Sequence, residues 1–229
     1  MENEIALPSA DVIVEYKNAV PAKKRLTVLG VEFVYLYLMG IGFAMLGWVV
    51  ENGYRIATKG IIDCRYHLLP FISSYALIPF CYHVLLGDPN RIAFFGRRLF
   101  ARDNTKTRVL SNVLCIVFIC SAVFLAEIVW GNMWEALFGV RLWNYSKQPF
   151  HVTRYAGLVS TVGFGVGTYA IFRFSYKPLL KLIRQKVKFK VAKVICRTLG
   201  VIIWIDSAIM AIQIAVLRRA PMYWLVHLW

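Results

Sequence analysis

The sequence predicts an all-α polytopic integral membrane protein, a bundle of about five transmembrane helices. Of its 229 residues, 59% are hydrophobic and only 17% are charged. The apolar residues cluster into blocks of about 20, the length that an α-helix needs to cross a hydrocarbon core of about 30 Å. A soluble protein of this composition would expose enough apolar surface to aggregate, which argues against the soluble classes.

Five apolar blocks define the predicted helices. These helices span residues 26–50, 67–86, 109–130, 155–174 and 199–217. Residues 1–25 mix acids, lysines and two prolines, which predicts a short cytosolic arm before the bundle of residues 26–217. Residues 131–150 are expected to form an outer interfacial element, and residues 218–229 an outer aromatic tail.

The basic residues predict the orientation of the bundle. Of the 27 Lys and Arg residues, 4 lie in the arm, 6 between the second and third helices and 9 from Arg173, at the end of the fourth helix, to the start of the fifth. Because cytosolic loops collect Lys and Arg, this asymmetry predicts a cytosolic N-terminus and an outer C-terminus, in the plasma membrane. The net charge of +15 is spread between the apolar blocks, so nucleic acid is not an expected partner.

The segment Lys177 to Arg197 places apolar residues at steps of three and four among lysines and arginines. This pattern predicts a basic amphipathic helix on the inner leaflet. It would bind anionic lipid or a cytosolic partner, or it would serve only as a topological anchor.

Acidic residues within or beside the predicted spans are candidate site residues, because a carboxylate in hydrocarbon costs about 2.5 kcal/mol or more. If the third helix continues beyond Trp130, Glu127 and Glu135 lie on one face, with Gly131 between them. Glu51 is expected at the same outer depth. Arg65 and Arg141 are among the candidate counter-charges. The group predicts either an outer vestibule for a substrate, ion or proton, or a structural network of Glu and Arg.

Two glycine patterns bear on packing. Gly47-Trp-Val-Val-Glu51 and Gly131-Asn-Met-Trp-Glu135 each precede a polar outer segment with a proline, which suggests a parallel repeat of helix pairs. Gly163 and Gly167 have the spacing that lets another helix approach closely.

No motif indicates an enzyme, a cofactor or a metal site. The four histidines show no ligand spacing, and the sequence contains no Cys-x-x-Cys pair, nucleophile elbow or phosphate-binding loop. We therefore expect neither a bound cofactor nor catalysis.

The outer segments resemble the CmpB-like family of ABC-transporter permeases, which includes the vertebrate transmembrane protein 229 branch. The resemblance covers about residues 40–165 and is most specific from Glu127 to Phe150, with Trp143, Asn144 and Tyr145 at its centre. It implies a permease-like membrane protein and supplies no substrate. In that family Asp normally stands where this chain has Asn144; with Arg154 added, the change shifts the outer site toward positive charge and argues against a cation site.

The leading interpretation is a non-enzymatic, transporter-like or channel-like subunit. Its candidate substrate or ion site comprises Glu51, Arg65, Glu127, Glu135, Arg141, Trp143, Asn144 and Tyr145. As a permease it would need a separate ATPase subunit, and a second copy of itself would complete the pathway. The alternatives are a structural or regulatory protein that binds partners or anionic lipid, and an intramembrane enzyme that acts on lipid with Glu127 or Glu135 as its base.

Overall fold

The computed structural model describes residues 25–88 and 90–229, and it shows an all-α membrane helix bundle with short strands at its ends. Of the predicted cytosolic arm, residues 1–24 lie outside this range. The helices are α1 (Phe33–Lys59), α2 (Ile78–Leu85), α3 (Thr105–Phe138), α4 (Leu158–Ile171), α5 (Lys177–Lys186) and α6 (Phe189–Leu217). A 3₁₀ helix over Ser73–Leu77 precedes α2, and a π-helix over Phe172–Tyr176 joins α4 to α5.

The strands form three small antiparallel sheets. They are β1 (Thr27–Val28), β2 (Val31–Glu32), β3 (Ile61–Asp63), β4 (Gly87–Asp88), β5 (Arg91–Phe94), β6 (Arg97–Arg98) and β7 (Leu225–His227). β1 pairs with β2 in a two-stranded sheet. β5 pairs with both β4 and β6 in a three-stranded sheet. β3 pairs with β7, so the predicted outer tail folds back onto the segment that follows α1.

In the described part of the chain, α1, α3 and α6 are the helices that are long and apolar enough to cross a membrane. All three run in the same direction. The Tyr35 hydroxyl donates to the Val187 carbonyl (3.1 Å), which places the starts of α1 and α6 together. Arg218 donates to the Leu137 carbonyl (3.0 Å), which places the ends of α6 and α3 together. We call the end where these helices begin the inner end, and the other the outer end.

The predicted second helix is not continuous. Between Cys64 and Leu86 the chain returns from the outer to the inner end as turns, the 3₁₀ helix and α2. Pro70 and Pro79 lack the amide hydrogen of a helix interior, and Pro79 stands in the first turn of α2. The Ile72 amide instead donates to the Ala44 carbonyl of α1 (2.9 Å).

The other predicted boundaries shift for local reasons. α1 begins seven residues late because residues 27–32 form the β1–β2 hairpin, and it continues to Lys59, where Gly60 ends it in the left-handed region. α3 begins earlier because Asn104 and Thr107 form a capping box, and it ends at Phe138, so the first eight residues of the predicted outer element 131–150 belong to this helix. Its 34 residues measure about 51 Å, well beyond a hydrocarbon core.

The basic segment 177–197 is not one amphipathic helix. α5 ends at Lys186, Val187 is extended, and the following residues already belong to α6, which is ten residues longer than predicted. At the inner end Arg184 pairs with Glu32 and Lys177 pairs with Asp88. Two of the basic residues of this segment therefore form ion pairs that connect α5 to the rest of the bundle.

The main apolar core lies between α1, α2 and the π-helix. Phe172 stacks on Tyr82 with ring centroids 3.9 Å apart and on Phe43 at 5.3 Å. Tyr176 packs against the same group, and its hydroxyl is 2.8 Å from Nδ1 of His83. This core joins the part of the chain built on α1 to the part built on α3 and α4.

Candidate functional site at the outer end of the bundle

A compact set of contacts surrounds Glu51 on α1. The Tyr75 ring lies against Gly47, one turn before Glu51, so closely that a Cβ at Gly47 would meet ring carbons at 2.5–2.8 Å. The Tyr75 hydroxyl donates to Oε1 of Glu51 (3.0 Å), and Arg65 pairs with Oε2. We call these four residues the α1 clasp. Because both charged side chains are largely buried, the ion pair satisfies a carboxylate that would otherwise be costly here.

The same arrangement recurs on α3. The Tyr155 ring lies against Gly131, and its hydroxyl donates to Oε2 of Glu135 (2.5 Å). Arg141 donates to Oε1 of the same carboxylate (2.6 Å), and Arg154 reaches both oxygens at 3.2 Å. We call this group the α3 clasp. It differs from the α1 clasp by its second arginine and by its exposure to solvent.

The segments that supply the tyrosines are also alike. Pro70-Phe71 precedes Tyr75-Ala76, and Pro149-Phe150 precedes Tyr155-Ala156. In each segment the chain turns at the outer end and then descends along the helix that carries its clasp: Ala76 contacts α1 at Gly40, and Gly165 of α4 contacts α3 at Cys120.

Glu127 lies one turn inward of the α3 clasp and has different partners. The Tyr145 hydroxyl donates to Oε1 (3.1 Å), and the Thr161 hydroxyl donates to Oε2 (3.3 Å). Burial, followed by the neighbouring Glu127 carboxylate, raises the pKa of the Tyr145 phenol, so its hydroxyl stays protonated as a donor. Within residues 25–88 and 90–229, no Lys or Arg forms an ion pair with Glu127.

The loop that carries Tyr145 also lies close to the α1 clasp. The Glu51 carboxylate also raises the pKa of the Tyr145 phenol, although its effect is weaker than that of Glu127. Tyr66, beside Arg65, donates its hydroxyl to the Leu142 carbonyl (2.5 Å). The structure thus brings together Glu51, Arg65, Glu127 and Tyr145, and places Glu135 and Arg141 in a separate, more exposed group.

Two further predicted residues hold the loop of residues 139–157 in shape. The Trp143 indole donates to the Tyr155 carbonyl (3.0 Å), and the Asn144 side chain accepts from the Ser146 amide (2.8 Å). Arg154 engages Glu135, not Glu127. The positive charge of Arg154 is therefore neutralised by Glu135 of the α3 clasp.

Sequence reasoning missed several polar residues. Tyr75, Tyr155 and Thr161 were not singled out, although the recurrence of Pro-Phe before Tyr-Ala was a readable signal for the two tyrosines. Asp206, for which the sequence suggests no partner, accepts from the backbone amides of Leu68 (3.0 Å) and Leu69 (3.2 Å).

A second buried group lies at the end of α1. Asp63 pairs with Arg55, its carboxylate accepts from the Arg65 amide (3.0 Å), and its own amide donates to Asn52 (2.8 Å). These contacts fix the chain two residues before Arg65, and so help to place Arg65 on Glu51.

The glycines of α4 do not pack in the way that the spacing of Gly163 and Gly167 predicts. Within the described chain, a Cβ at Gly163 or Gly167 would meet nothing within 4 Å, whereas one at Gly165 would overlap Cys120 of α3. Gly165 is therefore the close-packing glycine of this bundle. The close approach of another helix to Gly163 and Gly167 stays a prediction.

Comparisons with known proteins agree with the outer-segment resemblance. The profile of the family described as "Putative ABC-transporter type IV" (CmpB) matches residues 38–211, which include both clasps and Glu127. No curated protein and no solved structure matches the chain. In the part of the chain that the structure describes, no three His, Cys, Asp or Glu residues are grouped so as to hold a metal ion. The chain is an integral membrane protein that belongs to the CmpB family, whose description is "Putative ABC-transporter type IV".

Proposed function

We propose that the chain is the membrane-embedded subunit of a transport system, and that its polar path opens at the outer end between α1 and α3. The observation that carries this proposal is that carboxylates from two different spans lie beside one outer loop. Tyr145 of this loop donates to Glu127, and Tyr66, which follows the Glu51 partner Arg65, donates to the Leu142 carbonyl of the same loop. Ionisable groups at membrane depth are costly, and they generally line substrate or ion paths.

The two acids have distinct roles in this proposal. Glu51 is neutralised by Arg65 and serves as one wall of the path. Glu127 contacts neutral hydroxyl groups and is the acid available to a passing solute. Glu135, with Tyr155 and two arginines, anchors the outer loop to α3.

The inner end supports the assignment of partners. Six basic side chains are exposed on α5, on the two-residue link that follows it and at the start of α6: Lys181, Lys186, Lys188, Lys190, Lys193 and Arg197. They would contact anionic headgroups of the inner leaflet, in line with a cytosolic N-terminus and an outer C-terminus. Family membership further suggests a separate ATPase subunit as the source of energy.

Transport is tested in right-side-out membrane vesicles from native cells, in cells lacking the gene, and in those complemented with variants. The probes are radiolabelled sodium, rubidium, chloride and a set of small organic solutes. We expect at least one solute to be taken up only with the chain present, and Glu127→Gln to abolish its uptake while the purified variant keeps its melting temperature.

Glu135→Gln, in the α3 clasp on the same helix, is the matched control for Glu127→Gln. It should lower the melting temperature and reduce uptake only in proportion to the protein that remains folded. Equal uptake of every solute with and without the gene would contradict the proposal. Unchanged uptake in Glu127→Gln vesicles would remove Glu127 from the path.

Accessibility provides an independent check of where the path opens. Thr161 is 4% exposed in this structure. In a background without the natural cysteines, opening of the path should let Thr161→Cys react from the outer solution with a membrane-impermeant thiol reagent. Gly163→Cys, two residues on, faces away from the described chain and should stay protected by lipid. Protection of Thr161→Cys would contradict an outward opening.

A further inference from the structure

The two clasps allow a position-by-position comparison of α1 with α3. Gly47 and Gly131 each lie under a tyrosine ring, and Glu51 and Glu135 each follow four residues later. Residues four apart lie on the same face of a helix. The position four residues before each glycine is therefore equivalent in the two halves: it is Phe43 on α1 and Glu127 on α3.

On α1 this position is filled by an apolar side chain. Phe43 is 6% exposed and stacks on Phe172, in the core between the two halves. The α1 clasp forms above it with all its contacts intact. The clasp therefore does not need a carboxylate at this position in order to form.

On α3 the same position carries an acid whose direct contacts are hydroxyl groups. Tyr145 from the outer loop and Thr161 from α4 each donate to one oxygen of Glu127. Among the described residues, the arginines of the outer end are paired elsewhere: Arg65 pairs with Glu51, and Arg141 and Arg154 pair with Glu135. Lys147, on the same loop as Tyr145, is exposed to solvent. An ionised carboxylate with only neutral donors, at the depth of a spanning helix, needs a positive charge from elsewhere or a proton.

We propose that Glu127 is a binding site for a single positive charge taken from the outer solution, either a proton or a monovalent metal cation, held by the oxygens of Glu127, Tyr145 and Thr161. This inference rests on the proposed function and names the solute class, or the coupling ion, of the same path. α3 then carries the binding acid, Glu127, at the position where α1 carries the apolar Phe43.

The charge state of Glu127 can be measured without transport. Infrared difference spectra of the chain in lipid nanodiscs report the carbonyl band of a protonated carboxyl group as the pH changes. We expect a titrating band that is absent in Glu127→Gln and retained in Glu135→Gln. Tyr145→Phe, which keeps the carboxyl group but removes one hydroxyl donor, should shift the frequency or the midpoint of this band.

Sodium, potassium and choline chloride then distinguish the two sources of charge. Loss of the band on addition of sodium or potassium, but not of choline, identifies a metal cation that displaces the proton. A band insensitive to all three salts identifies a proton site. Either result supports the proposal and stands apart from the uptake assay, so failed uptake with a titrating band would contradict only the transport function.

The proposal is overturned if the Glu127→Gln spectrum matches that of the unmodified chain at every pH and in every salt. Glu127 would then keep one charge state throughout. Glu127→Asp provides a second test, because it preserves the acid and shortens its reach. It should retain a titrating band with a shifted midpoint.

Discussion

The α1 clasp and the α3 clasp make the same three kinds of contact in different surroundings. In the α1 clasp the side chains of Arg65 and Glu51 are 15% and 20% exposed. In the α3 clasp Arg141 and Arg154 are each 52% exposed, and they share a single carboxylate. Removing one partner of a buried ion pair leaves an uncompensated charge, whereas an exposed pair is screened by solvent, so loss of an arginine should cost more stability on α1 than on α3.

The position beneath the clasps should show the largest difference between the halves. Phe43→Ala removes a buried ring and should lower the free energy of unfolding by about 4 kcal/mol, because the surrounding core cannot fully close the cavity. Thermal unfolding in detergent measures this loss. Met45→Ala, on the exposed side of the same helix, is the control and should change little. A small loss for Phe43→Ala would show that this position is not a fixed structural element of the α1 half.

The two arginine contacts should differ next. Arg65→Gln leaves Glu51 buried without its counter-charge and should cost about 3 kcal/mol of unfolding free energy. Arg141→Gln should leave the melting temperature almost unchanged, because this exposed pair is screened by solvent and Arg154 remains on Glu135. Equal effects of the two substitutions in one unfolding assay would remove the distinction between a buried and an exposed clasp.

Adding a methyl group under a tyrosine should cost less. Gly131→Ala forces the buried Tyr155 ring to move and should destabilise the chain by about 1–3 kcal/mol. Gly163→Ala meets open space and should be neutral or stabilising by up to about 1 kcal/mol, because alanine favours helix. The melting temperatures of the two variants should therefore move in opposite directions, or differ clearly. A stabilising Gly131→Ala would contradict the close approach.

The smallest of these effects is expected for the tyrosine hydroxyl. Tyr75→Phe keeps the ring on Gly47 but removes the donor to Glu51, which should cost about 1.5 kcal/mol. Tyr54→Phe, at an exposed tyrosine of the same helix, should leave the melting temperature unchanged. If both variants melt alike, the contact with Glu51 contributes nothing to stability, and the clasp is reduced to ring packing and the Arg65 pair.

The sequence predicted the membrane class, the family and the alignment of Glu127, Gly131 and Glu135, because composition and helical spacing are local properties. It could not assign Arg65 to Glu51 and Arg154 to Glu135, because pairing depends on how the outer loops turn. The second helix was predicted to be continuous because an apolar run does not show where Pro70 and Pro79 divert the backbone. The loops therefore divide the single predicted site into two groups, one around Glu127 and one around Glu135.

The glycines show the same limit. Spacing alone favoured Gly163 and Gly167, yet Gly165 makes the close approach, because the orientation of α4 about its axis is set by its contacts with α3. The repeated glycine and glutamate were visible in the sequence. The tyrosines that complete the two clasps are separated in sequence from their glycines, so their place follows only from the fold, which lays both rings on the glycines.

The π-helix over Phe172–Tyr176 inserts one extra residue into the hydrogen-bond ladder between α4 and α5. One residue corresponds to about 100° of helical rotation, so everything after it faces a different direction than an unbroken helix would allow. Deleting a single residue from this turn would swing Lys177 and Arg184 away from Asp88 and Glu32 without altering either acid. The angular phase of the inner cationic helix is thus set by this short irregularity.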